Sequence, residues 1–245
     1  MSFSQFTEQD YELIRQSYAQ LKAAAEKRCA NQQELDVVQK AFDFANEAHK
    51  NVRRRSGGPY IIHPIEVAKI VVSDIGLGYK SIAAALLHDV VEDTDYTVDD
   101  IRKLFGDKIA SLVDGLTKIK NVLDNEDRSK KLNDANAKSL QAEIFKRILL
   151  TLNDDVRVVL IKLADRLHNC RTIEYMPEYK RDKILSETMF IFIPLAHRLG
   201  LYEIKSEMEN IWLKYKEPDA YKEISGLINS NLSGRGSRSE EHTSE

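Results

Sequence analysis

The string His88-Asp89-Val90-Val91-Glu92-Asp93 puts an imidazole and three carboxylates within about two helical turns. At about 100° per residue, His88, Asp89, Glu92 and Asp93 share an arc of roughly 140°. Ala83, Ala84, Leu87 and Val91 occupy the opposite, apolar side. Carboxylates bunched near a helix C-terminus repel one another and meet the negative end of the backbone dipole. A divalent cation relieves both penalties, whereas a solvated acidic face with a histidine at its edge is the plainer alternative. A second string, Lys162-Leu163-Ala164-Asp165-Arg166-Leu167-His168-Asn169-Cys170-Arg171-Thr172, follows an apolar stretch. Asp165, Asn169 and Thr172 fall at i, i+4 and i+7, so one helical stripe carries a carboxylate, an amide and a hydroxyl. A buried Asp165 needs a cation or several donors, and a salt bridge to Arg166 or Arg171 is the simplest one. His168 lies off that stripe and reads as structural.

A third string, Arg53-Arg54-Arg55-Ser56-Gly57-Gly58-Pro59-Tyr60-Ile61-Ile62-His63-Pro64, runs three arginines into a turn and then a histidine at the start of a helix. Guanidinium forks and loop amides suit phosphate oxygens. Together the three strings supply His63, His88, Asp89 and Asp165, a nitrogen and oxygen set without thiolate. That set suits an open, catalytic divalent site better than a closed zinc site, and Mn²⁺, Fe²⁺ and Zn²⁺ are all admissible.

Helices must position these groups. Tyr11, Ile14, Tyr18, Leu21 and Ala25 recur at helical steps, as do Val38, Phe42, Ala45 and Ala48. Further helical stretches are expected over Pro64–Ser73, Lys80–Asp93, Val98–Phe105, Lys138–Leu152, Asp155–Thr172 and Lys183–Leu199. Thr97 and Asp100 form a capping-box pattern, and Gly76, Gly78, Gly106 and Gly200 fall between periodic segments. The charged run Asp124–Asp134 reads as a solvated loop, and no strand pattern persists long enough to build a sheet. Among 245 residues, 42% are hydrophobic and 31% charged, with 10 Gly and 5 Pro, which excludes collagen-like and disordered classes. A formal net charge of −3 argues against wholesale wrapping by nucleic acid. Cys29 and Cys170 stand far apart, as reduced thiols do, and no apolar run approaches the ~20 residues of a membrane span. A cytoplasmic, soluble protein is expected.

The H…HD…D order resembles the HD superfamily of metal-dependent phosphohydrolases. The fuller strings resemble the hydrolase domain of RelA/SpoT-type alarmone enzymes. They are Ala48-His49, Arg54-Arg55-Ser56-Gly57, Pro59–Pro64, His88–Thr94, Val113-Asp114-Gly115-Leu116-Thr117-Lys118, Lys162–Thr172 and Pro194–Gly200. The resemblance spans about Lys40 to Tyr215. It implies an all-α, HD-domain helical bundle with the metal site between helices, and hydrolysis of (p)ppGpp to GDP or GTP plus pyrophosphate. It implies His63, His88, Asp89 and Asp165 as metal ligands, usually for Mn²⁺, and Glu92 and Asp93 as the acidic pair serving the attacking water. Arg54, Arg55, Ser56, Asn169 and Thr172 match substrate contacts, and Lys118 is a further phosphate candidate.

Gly58 stands where the family commonly has Glu, and Cys170 where it commonly has Met. The expected organisation is an N-terminal helix over 1–30, the hydrolase domain over 31–200, a helical connector towards a synthetase domain over 201–232, and a tail over 233–245. Synthetase and regulatory domains of a longer chain are the implied partners, with neither DNA nor membrane. An HD phosphohydrolase for another nucleotide and a non-catalytic alarmone-binding module are the alternatives.

Overall fold

Of the first periodic stretch, Ile14, Tyr18, Leu21 and Ala25 are buried along helix α1 (Glu8–Glu26), whereas Tyr11 in its first turn is exposed. Thr7 caps α1 in a capping box with Asp10. Helix α2 (Gln32–Ala48) buries Leu35, Val38, Ala41, Phe42 and Ala45 on one side. The computed structural model describes residues 2–129, 145, 146, 148 and 154–228. Within them follow α3 (Ile62–Ile70), a π-helical turn (Val71–Ile75), α4 (Tyr79–Leu87) and α5 (Val90–Asp93). Next come α6 (Val98–Phe105), α7 (Asp107–Ser129), α8 (Val156–Arg171) and α9 (Glu178–Glu187). The architecture is all-α. The sheet content among the described residues is one antiparallel pair of two-residue strands, β1 (Ser2–Phe3) and β2 (Val52–Arg53).

Helix α4 is buried from Ser81 through Leu87, as expected of a helix apolar all round. It packs against α2, α3 and α7, while α8 packs against α3 and α7. Ile82, Leu86 and Leu87 are fully enclosed, each burial favouring the fold by about 1.5–3 kcal/mol. The alanines at 83–85 let the surrounding helices approach this hub closely.

Two compact units are distinguished, Met1–Arg181 and Asp182–Glu245, with the division inside α9. The second contains a π-helical turn (Thr188–Phe192), α10 (Ile193–Arg198), α11 (Tyr202–Lys216) and helix over 218–228. Within it Lys216 Nζ pairs with Asp182 Oδ1 at 2.5 Å. No helix among the described residues is long and apolar enough to cross a membrane.

Several expectations are corrected. Lys80–Asp93 is not one helix: α4 ends at Leu87, and α5 begins at Val90 after His88 and Asp89. The region read as Lys183–Leu199 is α9, a π-helical turn and α10. The run from Asp124 is not a loop at its start, because α7 continues to Ser129. Once the core-anchored first turns of α7 are formed, each added residue gains a backbone hydrogen bond, so the helix extends without apolar anchors. The remainder of that run, positions 130–134, lies outside the described residues, as do 229–232, the tail 233–245 and most of Lys138–Leu152.

Where α7 meets α8, Gly115 admits a close approach. A Cβ at this position would lie 2.8 Å from Val158 Cγ2 and 3.0 Å from Cγ1. Val158 is buried and its β-branched side chain is stiff. Gly115→Ala is therefore expected to destabilise by about 1–3 kcal/mol, although alanine is the better helix former by ~1 kcal/mol. In a Val158→Ala background the same change becomes stabilising, and denaturant midpoints of the four proteins check the reversal of sign.

Candidate metal centre

Two helices and one helix break aim the imidazoles and carboxylates at a common point. His63 sits in the first turn of α3, where Pro64 costs no intrahelical bond. His88 and Asp89 fill the break between α4 and α5, and Asp165 comes from the middle of α8. All four are buried, with exposures of 3%, 1%, 7% and 6%. One ligand atom each from His63, His88 and Asp165 lie within 4.8 Å of one another, a group that can hold a metal ion. Asp89 touches both imidazoles, Oδ1 3.1 Å from His88 Nε2 and Oδ2 3.6 Å from His63 Nε2. Asp165 Oδ1 lies 3.2 Å from His63 Nε2 and 3.9 Å from His88 Nε2.

The ring nitrogens facing away from this point are already engaged. His88 Nδ1 donates to Ala85 O at 2.7 Å, leaving Nε2 buried and without a hydrogen bond. His63 Nδ1 lies 2.7 Å from His168 Nδ1, which also faces Arg54 Nη1 at 3.4 Å. A guanidinium only donates, so His168 Nδ1 is the acceptor and His63 Nδ1 carries the hydrogen. Burial, then the neighbouring His63 and Arg54, pull His168 down to about 2 and keep it neutral. Burial and Arg54 likewise depress His63, so its Nε2 presents a lone pair to two carboxylates. Burial opposes the charge on His88, yet Asp89 and Asp165 hold it up to about 9. A cluster of lone pairs and carboxylates that pulls this hard on a proton fits a divalent cation equally well. The donor set, with His88 Nε2 unbonded, thus suits a metal ion that His63, His88 and Asp165 could hold, with Asp89 beside them.

Charged neighbours surround that point. Burial opposes ionisation of Asp165, but Lys162 and the charged His88 hold its carboxyl well below the usual range. Lys162 Nζ is 2.7 Å from Asp165 Oδ2 and is itself buried. Glu92 pairs with Lys120 at 2.5 Å through Oε2, while Oε1 is buried without a hydrogen bond. Burial pushes the Glu92 carboxyl up, against the pull of Lys162 and Lys120. Tyr60 Oη reaches Asp89 at 2.7 Å and Asp93 at 2.8 Å.

The other expected residues divide. Arg54 Nη2 donates to Asn169 Oδ1 at 3.2 Å, and Asn169 Nδ2 donates to Asp165 Oδ1 at 2.8 Å, so the i, i+4 stripe joins the site. Thr172 caps α8, its hydroxyl donating to His168 O at 3.0 Å. Arg55 and Ser56 are exposed on the loop. Lys118 pairs with Asp114 at 2.6 Å on an exposed face of α7. His168, read as structural, is the residue that orients His63. Lys162, Lys120, Tyr60 and His49 were missed as site residues. Lys162 had a signal, its i, i+3 spacing to Asp165. The other three are brought in by tertiary packing alone.

Comparison with known proteins places the chain in a family. The HD domain family matches residues 41–202. A probable guanosine-3′,5′-bis(diphosphate) 3′-pyrophosphohydrolase from Synechocystis is 44% identical over 83% of this chain and 25% of its own length. An enzyme of that name from Aquifex aeolicus is 41% identical over 80% of this chain and 26% of its own. A GTP pyrophosphokinase from Brucella melitensis is 44% identical over 78% of this chain and 24% of its own. The chain thus spans about a quarter of the length of these curated relatives. A solved structure described as a metazoan ortholog of SpoT that hydrolyzes ppGpp is similar with TM-score 0.52 and 26% identity, covering 74% of this chain and 96% of that one.

The imidazole pair yields a direct test. His168→Leu removes the acceptor that fixes the His63 tautomer, and Mn²⁺ affinity is expected to fall ~10–100-fold. Calorimetric titration checks this, with circular dichroism confirming a retained fold.

Proposed function

The chain belongs to the HD domain family, and from that premise we propose that it hydrolyses guanosine 3′,5′-bispyrophosphate, (p)ppGpp, to GDP or GTP and pyrophosphate. The observation that carries the reading is the buried His63, His88, Asp89 and Asp165 cluster, with Arg54 and Asn169 linked to it from one side. The names of relatives similar over most of this chain support the substrate. Mn²⁺ is the proposed cation. When bound, it supplies the Lewis acidity that polarises a phosphoryl oxygen and makes water a competent nucleophile near neutral pH.

The chain's own groups do the rest. Water adds to the phosphorus bonded to the ribose 3′ oxygen, the P–O bond to the ribose breaks, and that oxygen takes up a proton. Glu92 and Asp93 accept and orient the hydrogens of the water. Burial raises the Glu92 carboxyl and so makes it a stronger base than a solvated carboxylate, and its unbonded Oε1 is the atom for that task. Arg54, braced by Asn169, offers its remaining N–H groups to phosphate oxygens. Arg55 and Ser56 on the same loop, Thr172 and Lys118 are the further substrate contacts proposed. The proposed setting is the cytoplasmic hydrolase part, over 31–200, of a longer chain, with residues 1–30 as a preceding helix and 201–232 leading towards synthetase and regulatory domains.

Pyrophosphate release from ppGpp by the purified protein, with and without Mn²⁺, tests the proposal, and no release in either condition would refute it. Asp89→Ala is expected to lose both Mn²⁺ binding and turnover. Glu92→Ala should keep Mn²⁺ and lose ~10²–10⁴-fold in kcat. The pH profile supplies a further check. Lys120 lowers the Glu92 pKa, so Lys120→Met raises it and moves the acid limb of kcat to higher pH.

A further inference from the structure

Tyr60 joins two carboxylates that have different tasks. Its phenol has one hydrogen, yet Asp89 Oδ2 lies 2.7 Å and Asp93 Oδ2 2.8 Å from the same oxygen. It can donate to only one of them at a time. Burial, reinforced by the two aspartates, pushes the phenol well above its usual range, so it remains an O–H donor. The ring is held in place. Its face stacks on His49, with centroids 4.7 Å apart and planes 21° from parallel. His49 is anchored at the end of α2 by its Nδ1–H donating to Ala45 O at 2.9 Å. The Tyr60 backbone N–H donates to Val52 O at 2.9 Å, and the ring meets His63 edge-on with centroids 6.3 Å apart. Asp89 is buried and faces both ligand imidazoles, whereas Asp93 is exposed.

We propose that Tyr60 is a positioning residue that couples cation binding to the orientation of Asp93, by shifting its phenol hydrogen from Asp89 to Asp93. A cation draws the charge of Asp89 towards itself and weakens Asp89 as an acceptor. The hydrogen then goes to Asp93 and holds that carboxylate beside the water it serves. Without the cation the hydrogen stays on Asp89, and Asp93 loses its anchor. The inference rests on the roles given to Asp89 and Asp93 in the proposed function. It adds a means by which the acidic pair is assembled only around a loaded centre.

Tyr60→Phe keeps the ring and the His49 stack and removes only the hydroxyl. In the full chain, adding Mn²⁺ should produce a tyrosine ultraviolet difference spectrum in the wild type that is absent from Tyr60→Phe. With ppGpp, kcat should fall ~10–100-fold with KM little changed. Tyr60→Phe/Asp93→Ala should be no slower than Asp93→Ala alone, because both changes remove the same link. The same difference spectrum in Tyr60→Phe as in the wild type, or losses that multiply in the double variant, overturns the coupling. If Tyr60→Phe does not fold, the Mn²⁺-induced signal in Asp93→Ala decides: a weakened signal supports the coupling and an unchanged one refutes it. A wild type that binds Mn²⁺ and shows the Tyr60 signal, yet releases no pyrophosphate, overturns the substrate and supports the coupling.

Discussion

Burying carboxylates beside imidazole lone pairs is the constraint around which this molecule is organised. Ionised carboxylates are not left alone in a low-dielectric interior. Asp89 and Asp165 are both buried, and both face nitrogens whose outer counterparts are already hydrogen-bonded. Lys162 balances Asp165 from the Oδ2 side, which leaves Oδ1 for the interior of the cluster and for Asn169. Lys120 answers Glu92 on its Oε2 side in the same manner. The protein's own cations thus take the outer oxygens and leave the inner ones for a guest charge. Close packing is needed to hold this arrangement, since the groups would otherwise separate or admit water. The buried hub α4 and its contacts with α2, α3 and α7 provide it.

The passage from α4 to α5 is part of that solution. His88 and Asp89 both keep right-handed helical dihedrals, Asp89 at φ −85° and ψ −13°, so about 100° separates their directions. The two side chains close that gap themselves. Asp89 Oδ1 comes to 3.1 Å from His88 Nε2, and Tyr60 holds the other oxygen. The short α5 then carries Glu92 towards Lys120 and Asp93 towards Tyr60. Neighbouring residues therefore converge on one centre while the acidic pair is spread around its rim.

Much of the scaffold could be read from hydrophobic spacing. Helices α1, α2 and α6 form where expected, Tyr11 alone of the expected α1 face being exposed, and the Thr97–Asp100 capping box is in place. Convergence of His63, His88, Asp89 and Asp165 followed from residue type and the resemblance together, because no spacing rule links positions 63, 88 and 165. What stayed hidden depended on three-dimensional neighbours. Tyr60 sits in the quoted Pro59–Pro64 string, but nothing local announces that its hydroxyl spans two aspartates. His168 was judged by its helix stripe, which ignores a partner arriving from α3. Lys118 is the lysine the resemblance offers, yet it forms a surface pair with Asp114, and Lys120 two positions along α7 reaches Glu92.

The arginine run shows how far the site's support extends along the chain. Arg53 and Arg54 are adjacent, and side chains of neighbouring residues in an extended segment point to opposite sides. Arg53 is spent on Asp10, with contacts of 2.6 and 3.0 Å between side chains that are about 15% exposed. The same Asp10 closes the capping box of α1. Arg54 faces the other way, onto His168 and Asn169. The turn behind it is closed by Arg54 N–H to Gly58 O at 3.0 Å, with Gly57 at a φ of 90° that side chains beyond glycine rarely adopt. Helix α1 therefore does more than precede the bundle: through Asp10 it fixes the loop from which Arg54 reaches the site. Loss of the Asp10–Arg53 pair would loosen the loop while every residue around the metal position stayed in place.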